Sequence, residues 1–137
     1  MKEEERATRE TMKLVYHGRL PGLNEVINKS RRNPYEGNKL KKDTQKALYC
    51  QLFPQYRAGG GKPFETKVHA VIHFYEPNAK RDEDNVISGM KFIFDALQEL
   101  GIIPNDSQKF LHISGVDVSV DRENPRVEIR LEAADEE

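Results

Sequence analysis

Two carboxylates stand two residues apart in Lys80-Arg81-Asp82-Glu83-Asp84-Asn85, just ahead of a stretch with helical apolar spacing, and a third follows that stretch in Asn105-Asp106-Ser107-Gln108. Carboxylate oxygens are hard ligands suited to Mg²⁺, and a hydrated Mg²⁺ held by a few of them with open positions is a common device for attacking phosphodiesters. If the chain leaves its strand in extended form, Asp82 and Asp84 point to one side. Like charges at that range repel, so the pair calls for a cation or a lysine. Asp106 lies one helix and a turn away, close enough in the chain to fold back beside the strand end. On a helical wheel Ser88, Lys91 and Asp95 share the polar stripe of Asp84. The Lys91 ammonium can then face the acidic cluster and neutralise charge on a phosphorane or position the attacking water. The plainer reading of the same residues has Asp84 capping the helix, Asp82 solvated and Lys91 paired with Asp95 at i+4.

A second group of residues suits a polyanion. Lys29, Arg31, Arg32, Lys39, Lys41, Lys42 and Lys46 face only Glu36 and Asp43 within eighteen residues. Such a run can neutralise several phosphates, each adding a salt-dependent share of affinity. Its plainer reading is a solvated helix face.

The elements that must position these groups are legible in outline. Lys13 to His17 reads as a strand, and Pro21-Gly22 as a turn. Leu23, Val26 and Ile27 begin a short helical pattern that runs into the basic loop, and a second helix is predicted near 39–53, stopped by Pro54. Ala58-Gly59-Gly60-Gly61-Lys62-Pro63 reads as a flexible connection. Val68, Ala70, Ile72 and Phe74 alternate with His69 and His73, the pattern of a half-buried strand. Val86, Ile87, Met90, Ile93, Phe94, Leu97 and Leu100 fall on one side of a helix over 84–100, with Asp84 as its N-cap and Gly101 closing it. Phe92 falls on its polar side. Strands at 111–120 and 126–131 follow, with Asn124-Pro125 as their hairpin loop. The order β-α-α-β-α-β-β gives an α/β (α+β) domain with one small mixed sheet packed against helices.

The chain has 137 residues and a formal net charge of -1, with 33% charged and 36% hydrophobic residues. That size suits one domain, placed at 13–131 between a flexible leader at 1–12 and an acidic tail at 132–137. No apolar run approaches the roughly 20 residues of a membrane span. Cys50 is alone, so no internal disulfide forms and a reducing, cytoplasmic compartment is the simplest setting. His17, His69, His73 and His112 lack the spacing of a zinc site.

Lys80 to Asn85, the helix end Phe94-Asp95-Ala96-Leu97 and the turn Asn105 to Gln108 together resemble the RusA family of Holliday junction resolvases, over roughly Leu14 to Leu131. The resemblance implies a small α/β homodimer that cleaves four-way DNA junctions in recombination and repair, a crossover junction endodeoxyribonuclease. It implies Mg²⁺, with Mn²⁺ as a substitute, and three aspartates, which by motif position are Asp82, Asp84 and Asp106. It also implies a basic N-terminal half on DNA, matching Lys29 to Lys46, with Arg81 added. The family pattern has a lysine four residues after the second aspartate, where this chain has Ser88. Lys91, one turn on, is the replacement. Under this resemblance Phe92 is a dimer contact and Asn85 bonds backbone near the helix start. Two other readings are a junction-binding module that does not cut and a general structure-selective nuclease.

Overall fold

The computed structural model describes residues 10–134. Four strands form one sheet in the order β1-β4-β2-β3, with β1 at Thr11–His17, β2 at Val68–Glu76, β3 at Leu111–Val120 and β4 at Arg126–Ala133. β4 runs antiparallel to both neighbours, whereas β2 and β3 are parallel. The α/β expectation holds, and all the predicted strands share this sheet. A parallel pair requires a crossover, which the chain between β2 and β3 supplies as helices.

Period-two alternation fixes which face is covered. Val68, Ala70, Ile72, Phe74 and Glu76 of β2 are buried on one face, joined there by Ile129 and Leu131 from β4 and Leu14 from β1 beyond it. Leu48, Leu52, Ile93 and Leu97 from the helices complete this core. The opposite face is polar. There His73 bonds Ser119 at 2.7 Å and Arg126 lies 3.8 Å over the Tyr75 ring.

The helices are α1 at Leu23–Arg32, α2 at Pro34–Ala58, α3 at Glu83–Ile87 and α4 at Met90–Glu99. The basic segment is helical rather than a loop. Asn33 separates α1 from α2, accepting a hydrogen bond from the Tyr35 N–H at 2.9 Å, with Pro34 in the first turn where its missing N–H costs nothing.

Pro54 does not stop α2, which continues to Ala58. An interior proline costs about 3 kcal/mol, and the packing around it accounts for its survival. Leu48, Leu52 and Tyr56 are buried on both sides of it, and two glutamines one turn apart grip the free edge of β1. Gln55 accepts from Val15 N at 2.8 Å and donates to Val15 O at 2.7 Å. Gln51 repeats this with His17, at 2.7 and 3.0 Å. These side chains stand in for a fifth strand and cover an edge that would otherwise invite pairing with another chain.

Three further expectations are corrected. The predicted 84–100 helix is two helices, because Ser88 Oγ donates to the Asn85 carbonyl and accepts from Leu23 N at 2.8 Å. A serine committed to backbone partners interrupts the ladder there. Asp82, not Asp84, takes the N-cap position of α3. The segment after β3 is not a hairpin, since β2 lies between β3 and β4; it crosses the end of β2, tied by Asp121 N to Glu76 O at 2.8 Å.

Gly101 does end α4, with φ +78°, a conformation that a Cβ disfavours. β1 begins at Thr11 and β4 extends to Ala133, so the structured domain reaches into both proposed flanks. Residues 1–9 of the leader and 135–137 of the tail lie outside the described residues. Among the described residues no helix is long and apolar enough to cross a membrane.

Candidate active site

The acidic segment is anchored at both ends. Arg81 and Asn85 turn inward, and Asp82, Glu83 and Asp84 between them face solvent. The Arg81 guanidinium, 15% exposed, bonds Glu76 through Nε and Nη2, each at 2.9 Å. Its Nη1 bonds Glu25 at 2.7 Å and the Leu20 carbonyl at 3.0 Å. Arg19 adds a further bond to Glu76 at 2.8 Å. Glu76 is 4% exposed and sits at the last inward position of β2. A carboxylate there is tolerable only with charged partners, and the arginine fork matches it in geometry.

Asn85, 8% exposed, donates to Glu25 at 2.9 Å and accepts from Asn24 N at 3.0 Å. Its expected structural role is present, with the bonded backbone belonging to the start of α1 rather than to its own helix. Glu25 also accepts from Gly22 N at 2.7 Å. Burial pushes the Glu25 carboxyl upward, but the bonds from Gly22, Asn85 and Arg81 outweigh it and hold its pKa below the ordinary range. Gly22 completes the junction by close approach, because a Cβ there would collide with the Asn85 carbonyl.

Arg81, expected on DNA, takes part in this buried network. The other predicted DNA contacts, Lys29, Arg31, Arg32, Lys39, Lys41, Lys42 and Lys46, are all exposed along α1 and α2. Among the described residues only Lys39 of this group is ion-paired, to Asp43 at 3.3 Å. The remaining charges are presented to solvent from both helices.

Lys91 lies in the first turn of α4 and reaches two carboxylates, Asp95 at 2.9 Å and Asp106 at 3.0 Å. The hydrogen bonds to Asp95 and Asp106 raise its pKa, so it is a cation through the neutral range. Its side chain stays 66% exposed. Both the plain i+4 pairing and the approach of Lys91 to Asp106 are therefore present. Ser88, at the position where a lysine was expected, is fully used in joining α3 to α1.

The three aspartates are not assembled. Asp82 lines a cleft of about 270 Å³ with Ser119 and Val120, at the C-terminal ends of β2 and β3. Asp106 lines another, with Lys67 and His112, at the beginnings of the same strands. A divalent ion needs its oxygens within one coordination sphere. Among the described residues no three His, Cys, Asp or Glu side chains come together closely enough to hold one. The residues of this conformation do not make a ready metal cage.

A sequence profile of the endodeoxyribonuclease RusA family matches residues 24–132. The chain belongs to the RusA endodeoxyribonuclease family. The matched span contains the acidic segment, Lys91, Asp106 and the whole basic surface of this RusA-family chain. No curated protein matches it. Phe92, expected on the polar side of its helix as a dimer contact, is half-buried against the core, and its carbonyl accepts from Gln45 at 3.0 Å. The network partners Arg19, Glu25 and Glu76 escaped sequence reasoning. One signal was available: Glu76 continues the inward phase of Ile72 and Phe74, where a charge demands a partner.

Proposed function

We propose that this chain resolves four-way DNA junctions as a homodimer, hydrolysing two symmetry-related phosphodiesters in the cytoplasm during recombination and repair. The observation that carries this reading is the family match across both the basic helices and the acidic segment. The exposed lysines and arginines of α1 and α2 bind the phosphate backbone, a contact set that is insensitive to base sequence and weakens with salt. Lys91, held by Asp106 and Asp95 but still open to solvent, offers an ammonium to a phosphate oxygen as charge develops on it. A two-fold dimer would present two such sites to a substrate of matching symmetry.

Mg²⁺, with Mn²⁺ in its place, is the proposed cofactor, on the strength of the hard oxygen chemistry of Asp82, Asp84 and Asp106. These three side chains would have to lie within one coordination sphere to hold the ion, which would supply polarisation of the scissile phosphate. The test is cleavage of a synthetic four-way junction in Mg²⁺ by the wild type and by Asp82→Asn and Asp106→Asn. Loss of product in both variants is the expected result, and full cleavage by either ends the proposal.

One observation favours a second reading, a module that binds junctions without cutting: the carboxylates stand apart. Junction binding in Ca²⁺ with no product in Mg²⁺ or Mn²⁺ selects it. Equal cutting of flaps and forks selects a broader structure-selective nuclease.

A further inference from the structure

Arg81 stands next to Asp82 in a chain that binds DNA through its basic residues, so a phosphate contact is the obvious assignment. The geometry argues otherwise. Its guanidinium is 15% exposed and spends Nε, Nη1 and Nη2 on Glu76, Glu25 and the Leu20 carbonyl. Glu25 is also the first-turn carboxylate of α1, bonded to Gly22 N and to Asn85. One carboxylate thus joins the cap of a DNA-facing helix to both anchors of the acidic segment. Ser88 adds a further tie, to Leu23 N.

We infer that Arg81 is a positioning residue: with Glu76, Glu25 and Asn85 it locks the Asp82–Asp84 segment to the start of α1. DNA gripped by α1 and α2 is thereby held in register with the acidic residues. The inference rests on the nuclease reading for its consequence in catalysis, and the lock itself is measurable without catalysis.

Arg81→Lys separates the two roles. A phosphate contact tolerates lysine, which binds phosphate as a point charge, whereas a buried fork with three partners does not. The measurements are single-turnover cleavage at saturating enzyme, junction affinity in Ca²⁺ across a salt series, and amide hydrogen exchange. The expected result is a cleavage rate lowered by about 10²-fold, the size of effect that a small misplacement of reacting groups produces. Affinity and salt slope stay at wild-type values. Exchange quickens together at residues 22–26 and 82–88, with β1 and β4 unchanged.

The pair Arg81→Gln with Glu76→Gln, which leaves no buried charge facing Arg19 alone, serves as a second variant if the first is poorly folded. It is expected to show the same split between rate and affinity. Wild-type cleavage by Arg81→Lys overturns the inference. So does an Arg81→Gln/Glu76→Gln variant whose affinity falls and whose salt slope drops by about one phosphate while exchange at 82–88 is unchanged. If the wild type itself does not cleave, the nuclease reading fails alone, and exchange at 22–26 and 82–88 still decides whether Arg81 is the lock.

Discussion

Replacing Lys91 with methionine separates a chemical role from a structural one. Its ammonium makes two ion pairs, at 2.9 and 3.0 Å, on a side chain that is 66% exposed, to carboxylates 40% and 33% exposed. Exposed pairs contribute roughly 0.2–1 kcal/mol each, and solvent screening places these two together near about 1 kcal/mol at most. For a domain of this size that corresponds to a fall in Tm of about 2–5 °C. A preorganised charge on a developing oxyanion is worth more, about 10²–10³ in rate. Lys91→Met is therefore expected to fold, to bind junctions and to cleave at least about a hundredfold more slowly. The assay is single-turnover cleavage of a four-way junction at saturating enzyme, run beside a thermal melt. An unaltered rate refutes the argument and returns the role to water or another residue. The stability part has its own check. The bonds to Asp95 and Asp106 raise the Lys91 pKa, and a raised lysine stabilises fully below its unfolded pKa and loses that contribution as pH rises through the folded one. The difference in Tm between wild type and variant should hold steady through the neutral range and close only above about pH 10.

Gly22→Ala forces a methyl into the Asn85 carbonyl, so α1 must move off the acidic segment; a loss of about 1–3 kcal/mol is expected in urea unfolding, with cleavage impaired more than binding. Gln55→Ala leaves the Val15 N–H and carbonyl unpaired; it should cost about 1–3 kcal/mol and release the Val15 amide to exchange, and unchanged protection there would show that another group covers the edge. The Glu25 carboxyl is held below its ordinary pKa, so its contribution is present above its unfolded pKa and is lost as pH falls through the folded one. The melting temperatures of wild type and Glu25→Gln should accordingly converge below about pH 4, and a gap that persists at lower pH would contradict the assignment of these bonds.

The elements were legible where a local pattern coincided with packing. β2 followed from strict alternation at Val68 to Phe74, and the end of α4 from Gly101. The sequence misled where a side chain answered to a distant partner. Pro54 is a local stop signal, overridden by Gln51 and Gln55 reaching β1, 34 and 40 residues earlier. Ser88 looked like a vacant lysine position because its partner, Leu23 N, is 65 residues away. Turn chemistry at Asn124-Pro125 points to a hairpin, but β2 takes the place between β3 and β4, and strand order has no local signature. Of the candidate site, the residue types and the exposed basic surface were readable. The inward turn of Arg81 was not, because it depends on Glu25 and Glu76.

The sequence by itself determined the chemistry available: aspartates at 82, 84 and 106, a lysine at 91, and seven basic side chains between Lys29 and Lys46. These are covalent facts, and their spacing sufficed to reveal the RusA resemblance. Only the tertiary structure decided which charges are spent on the fold and which are left for a ligand. Lys91 and the helical lysines remain open to solvent, whereas Arg81 and Glu76 are consumed together, because an ionised group taken out of water is tolerated only beside an opposite charge. Which partner lies within reach is fixed by how β2, α1 and α3 pack, not by distance along the chain.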